Sequence, residues 1–201
     1  MVNQKFYWSY YLSLAEDVSN LSKYIEFSKP NYSTYSTELA KLFLVVGSEN
    51  DVVLKALCEA ICSKNKLKNK AKNITGYCKF VTDNYPYLSS QKVILHGYDL
   101  DFQPWEAWGD EDDEEGPTSP DWWKNYNGVK HNRSTNYSKA NLSNVLQALA
   151  GLFLANIYFE LDLQAQRDDC QFPIELSDVV RHLPRGCDLF RIDDPLAYLG
   201  D

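Results

Sequence analysis

Apolar residues recur every three or four positions along most of this chain, and the period shortens to two in one short stretch near its middle. Between residues 5 and 27, Trp8, Tyr11, Leu12, Ala15, Val18, Leu21, Tyr24 and Ile25 make a stripe of this kind, which predicts an amphipathic helix with one face turned to a core. Lys29-Pro30-Asn31 ends it, because the residue before a proline is pushed out of helical conformation. A second helix is predicted over 36 to 62, with Ser36 or Thr37 as N-cap and Leu39, Leu42, Phe43, Val46, Val53, Leu57 and Ile61 as its buried stripe. Gly47 interrupts that stripe at a cost of about 1 kcal/mol relative to Ala, which predicts the close approach of another helix backbone. Glu49 and Asn50 fall at the edge of the same face and need polar partners inside the fold. A shorter helix is predicted over 74 to 84, capped by Asn73 and closed by Tyr85-Pro86.

The change of period comes next. Lys92-Val93-Ile94-Leu95-His96 and Asp99-Leu100-Asp101-Phe102, separated by Gly97-Tyr98, predict a small hairpin on the side of the helices. Pro120 and Asp121 suit the start of a further helix that runs to His131 and breaks between Asn132 and Tyr137. Ser138 or Asn136 then caps the longest apolar pattern in the chain, with Leu142, Val145, Leu146, Leu149, Leu152, Phe153, Asn156, Ile157 and Leu161 at helical spacing and Gly151 inviting close packing. This pattern is apolar on more than one face, as expected for the centre of a bundle or for a dimer seam. After Asp168-Asp169 come a short helix near 176 to 182, a turn at Pro184-Arg185-Gly186 and an extended Leu189 to Ile192, read as a docked tail. The fold class is therefore all-α: an antiparallel four- to five-helix bundle with a small β-hairpin and an acidic loop insertion. A length of 201 residues suits one domain, spanning 1–201 with an insertion at 86–120 and a C-terminal extension at 169–201.

Charge sharpens this picture. The net charge of −8 opposes binding of a polyanion by the surface as a whole, so any nucleic-acid contact has to be local. Lys64, Lys66, Lys68, Lys70 and Lys72 form a cationic run that reads as a solvated loop or a phosphate-binding patch. From Asp99 to Asp121 the chain holds ten acids and no Lys or Arg, with 110–115 wholly acidic. That run reads as a solvated loop, or as a phosphate mimic covering the cations that follow it. It lacks the alternating ligands and internal Gly of a calcium loop. Trp105 and Trp108 before it and Trp122 and Trp123 after it read as anchors, with stacking on bases as the functional alternative. The five cysteines include no Cys-x2-Cys pair; a zinc set of Cys58, Cys62, Cys78 and His96 is a weaker reading than small core hydrophobes. An odd count fits a reducing compartment. No stretch reaches about 18 consecutive apolar residues and the first residues lack a secretory pattern, so the expectation is a cytoplasmic protein that does not enter a membrane, with neither metal nor cofactor.

Chemistry concentrates in Ser119 to Arg133, which holds one histidine, three cations and three aromatics. At about 100° per residue Asn127 and His131 share a helical face, and Lys124 lies about 20° off it two turns earlier. An imidazole exchanges protons near neutral pH, and a neighbouring ammonium stabilises an anionic phosphate. The set is therefore suited to metal-independent RNA cleavage. The structural alternative is an amphipathic helix with a capping histidine and a solvated lysine.

Tyr126-Asn127-x-Val129-Lys130-His131-x-Arg133, a short break, and Ala140-Asn141-Leu142 through Phe159 resemble the last two core helices of HEPN-superfamily proteins. The resemblance covers roughly residues 35 to 63 and 120 to 165. The family motif is Arg, four to six residues, His, often with Asn directly after the Arg. Asn127 and His131 match it, Tyr126 occupies the arginine position, Lys124 lies upstream at allowed spacing and Arg133 follows the His. An ammonium replaces a bidentate guanidinium clamp only in part. The resemblance implies a protein of a bacterial or phage-related defence or toxin–antitoxin setting, with metal-independent endoribonuclease activity. His131 would be general acid or base, Asn127 would orient it or bind phosphate, and Lys124 with Arg133 would stabilise charge. Tyr126, Lys130, Glu49 and Asn50 would bind or orient, with Glu49 or Asn50 fixing His131. The implied partners are a second copy, single-stranded RNA, and a protein partner or antitoxin. Members lacking the full motif imply the alternative of a non-catalytic interaction module, and a structural helical dimer is the third reading.

Overall fold

The protein is described by a computed structural model over residues 4–64, 71–109, 119–166 and 176–192. Those residues are mostly helical, with a small three-stranded antiparallel sheet. The helices are α1 (Gln4–Leu21), α2 (Thr37–Lys64), α3 (Ile74–Asn84), α4 (Asp121–His131), α5 (Arg133–Asn136), α6 (Leu142–Ala165) and α7 (Leu176–His182), and the strands are β1 (Val93–Leu95), β2 (Asp101–Phe102) and β3 (Phe190–Ile192). Lys66, Lys68, Lys70, the acidic run 110–115 and Cys170 lie outside the described residues.

The core is organised around α6. Every residue from Ala148 to Phe159 is buried, because α2 packs along this helix while α1, α4 and α7 cover its other sides. A helix hydrophobic all round requires such enclosure. The width of its apolar surface matches this enclosure by elements of the same chain. Although α6 is long and apolar enough to cross a membrane, 83% of its most apolar stretch is buried by the rest of the chain.

Local boundaries follow residue chemistry. Asn73 caps α3 through its Oδ1, which accepts from the Gly76 N–H at 2.9 Å, and Ser36 Oγ accepts from Leu39 N–H at 3.1 Å at the head of α2. The cap of α6 is Asn141, not Ser138 or Asn136: its Oδ1 accepts from Asn144 N–H at 3.1 Å, and Tyr137–Lys139 forms a separate 3-10 turn. α1 stops at Leu21, short of residue 27. There Ser22 Oγ donates to the Ser19 carbonyl at 2.7 Å, the backbone competition by which Ser and Asn weaken helices, and Tyr24 is 83% exposed instead of buried.

The hairpin supplies two strands of a three-stranded sheet. β1 pairs with β2 (Val93 opposite Phe102) and also with β3 (Val93 opposite Ile192, Leu95 opposite Phe190), giving the order β2-β1-β3. The C-terminal extension is thus a strand of the sheet as well as a docked tail. Val93, Leu95, Phe102 and Phe190 point to the core, where Phe190 meets Phe102 edge-on and packs near Phe153 of α6. Gly97 turns the hairpin with φ +83°, a conformation that favours glycine.

Candidate functional site

α4 is built from its buried side outward. Trp122, Trp123, Tyr126 and Val129 face the core, at the spacing of one helical face. Trp105 donates from Nε1 to the Gly151 carbonyl at 3.2 Å, Trp122 donates to the Pro104 carbonyl at 2.8 Å, and the rings of Trp105, Trp108, Trp122, Trp123 and Tyr126 follow one another at centroid separations of 4.3 to 5.5 Å. These indoles anchor both flanks of the acidic insertion on the helices. All four are at most 5% exposed, so they offer no face on which a base could stack.

Tyr126 explains Gly47. A Cβ at Gly47 would stand 2.3 Å from Tyr126 Cδ2, so the close neighbour of α2 is an aromatic ring and not the helix backbone expected. Gly151 plays the same part for Trp122 and Trp105, at 3.1 and 3.2 Å from where its Cβ would be. Tyr126, at the motif's arginine position, is therefore a core residue that also meets Phe43 edge-on.

The outer face of α4 carries the polar candidates. Asn127 is half-buried and His131 exposed, one turn apart on the same face as expected. Neither side chain makes a hydrogen bond or ion pair among the described residues. Lys130 is exposed and holds its Nζ 5.3 Å from the Tyr126 ring centroid, a cation–π contact that fixes its direction. Lys130 and His131 occupy the last turn, where cations suit the helix dipole. Asn132 breaks the helix (φ −145°, ψ 68°), α5 folds back, and Asn136 packs against Gly128, 3.3 Å from where a Cβ would lie.

The four residues expected to act together are only partly gathered. Lys124 pairs with Asp121 at 3.2 Å and lines a polar cleft of about 460 Å³ with Gln103, Asn144 and Gln147. Arg133 lines a different, predominantly apolar groove of about 600 Å³ between α2 and α5. Asn127 and His131 line neither. Glu49 and Asn50 are buried, but no hydrogen bond joins them to His131 among the described residues. The Asn50 amide donates instead to the carbonyls of Val46 and Ala148, both at 2.9 Å, tying α2 to α6, and burial pushes the Glu49 carboxyl up.

Asp162 is a further buried polar group that side-chain spacing left unmarked. It is 1% exposed, accepting from Tyr85 Oη at 2.7 Å and Gln166 Nε2 at 2.5 Å. Its place in the long apolar run of α6 was the available signal, since a buried carboxylate demands partners. Cys58, Cys62 and Cys78 are buried free thiols, with Cys58 and Cys78 pushed up to about 12 chiefly by burial. Among the described residues no group of three or more His, Cys, Asp or Glu side chains is placed to hold a metal ion.

No protein-family model, curated protein or solved structure matches this chain.

Proposed function

We propose that the chain is a HEPN-like protein of a bacterial or phage-related defence or toxin–antitoxin setting, folded as an antiparallel four- to five-helix bundle. In this reading it binds single-stranded RNA on the surface formed by the end of α4 and by α5, and His131 gives that surface the means to cut RNA without a metal. The carrying observation is that Lys130, His131 and Arg133 stand exposed together at this end in a chain of net charge −8. A local cationic surface meets the electrostatic requirement for phosphate. His131 would take the proton of the ribose 2′-OH as that oxygen attacks the neighbouring phosphorus, or return a proton to the departing 5′-oxygen, while Asn127 hydrogen-bonds the phosphate. Lys124 is placed to contribute less, because Asp121 already balances it.

A second reading, the non-catalytic interaction module, is favoured by Tyr126: a buried ring stands where a catalytic guanidinium would be needed. Incubation of single-stranded RNAs with wild type and His131→Ala in a metal chelator separates the two. Cleavage that His131→Ala lowers by about 10²-fold or more supports the enzyme. RNA binding without cleavage removes the catalytic step. Absence of both, with stable capture of a protein partner, selects the module. Homodimerisation is part of the proposal because a composite cleft would need it, and sedimentation at micromolar concentration checks it.

A further inference from the structure

The groove between α2 and α5 has features that the motif does not explain. Ala40, Leu44 and Val45 form an apolar floor on the outward side of α2, Tyr137 forms a wall, and Arg133 stands at the rim. The floor is left partly open by the chain, since Leu44 and Val45 are only half-buried. Two contacts position the wall. Tyr137 Oη lies 3.0 Å from Thr37 Oγ1, and its ring meets that of Tyr35 edge-on at 5.7 Å. The Tyr35 loop is itself pinned to the head of α6 by the Leu142 N–H bond to the Thr34 carbonyl at 2.9 Å. Lys41, the other cation at the rim, is balanced by Glu38 at 2.6 Å. Arg133 makes no ion pair among the described residues.

We propose that this groove receives one unstacked base of single-stranded RNA, with the adjoining phosphate at Arg133. The inference rests on the RNA reading above and gives it a second contact. A volume of about 600 Å³ falls within the about 300–1,000 Å³ of small-ligand sites. The flat aromatic wall over an aliphatic floor fits a base, whose π-face stacks on tyrosine whatever its sequence. The unbalanced guanidinium fits a phosphate, and an aliphatic ligand would leave it unused. Arg133 lies two residues after His131, so a strand whose phosphates follow the end of α4 brings a base to this groove.

The test uses the full chain and a short single-stranded RNA carrying one 2-aminopurine, whose fluorescence is quenched by stacking. Binding is expected to quench the probe. Leu44→Glu, which puts a carboxylate on the floor, and Thr37→Phe, which fills the groove without charge, should each abolish the quench and weaken binding by about tenfold, the loss of one stacked base. Both are to be compared at wild-type thermal unfolding, so that failure of one variant to fold leaves the other informative. Arg133→Ala should lower the slope of log affinity against log salt by about 0.7, the share of one phosphate contact on a single strand. RNA that binds with no quench, and equally well to Leu44→Glu and Thr37→Phe, overturns the groove and leaves the RNA reading standing. Failure to bind any RNA overturns both. Adenosine or uridine monophosphate binding in the groove as tightly as the RNA would overturn the strand and make the occupant a free nucleotide.

Discussion

On the inner face of α4, Trp122, Trp123, Tyr126 and Val129 are 1–5% exposed and interlock with Trp105, Phe43 and the vacant space above Gly47. On its outer face, Lys124, Lys130 and His131 stand in solvent with one ion pair and one cation–π contact between them. The two faces share a backbone, so packing on one fixes where the other presents its groups. The inner residues set stability and position. The outer ones make only surface contacts, which leaves their polar ends open to a ligand.

The comparison breaks most sharply at Trp105. Trp105→Ala should cost about 3–5 kcal/mol, as for other fully buried aromatics, read from denaturant unfolding; a loss below 1 kcal/mol would mean that the indole cluster is not the anchor of α4. Gly47→Ala comes next. Its helix-propensity gain of about 1 kcal/mol is opposed by the Tyr126 ring, and overpacking of this kind costs about 1–3 kcal/mol. In a Tyr126→Leu background the clash should vanish and the same change should be neutral or stabilising, a sign reversal that a double-mutant cycle would detect.

His131→Ala should change stability by no more than about 0.5 kcal/mol, as at exposed sites, while removing any RNA cleavage; a large loss of stability would show that the outer face is structural after all. The smallest effect is expected at Glu49. Burial raises its folded pKa above the unfolded value, so this group favours folding below the unfolded pKa, and that contribution is lost as pH rises through the folded pKa. Glu49→Gln should therefore raise the melting temperature at pH 7, and the gain should shrink as pH falls through the raised folded pKa and be gone below the ordinary glutamate range. A gain independent of pH would point to a cause other than desolvation.

Local chemistry was legible in the sequence and partners distant along the chain were not. The Asn73 cap and the α3 boundaries depend on a few neighbouring residues, and they appear where the pattern puts them. Asn127 and His131 share a face because helical geometry requires it. Gly47 announced a close approach, but only the fold reveals that Tyr126, 79 positions on, makes it. Likewise Leu189 to Ile192 read as extended, while its pairing with Val93 to Leu95 depends on how the whole chain closes. The division of Lys124 and Arg133 between two cavities depends on α5 folding back at Asn132, which periodicity does not encode.

The order β2-β1-β3 also bears on how the protein is made. β1 and β2 alone offer a ladder two residues long, and an isolated hairpin is marginal in water. Its other neighbour, β3, leaves the ribosome after every helix of the described residues. The helices through α6 can be synthesised and assembled while β1 still presents an open edge, so the sheet closes only once residues 190–192 have been made. A nascent chain stalled before residue 190 would carry that bare edge, the form in which strands recruit the wrong partner.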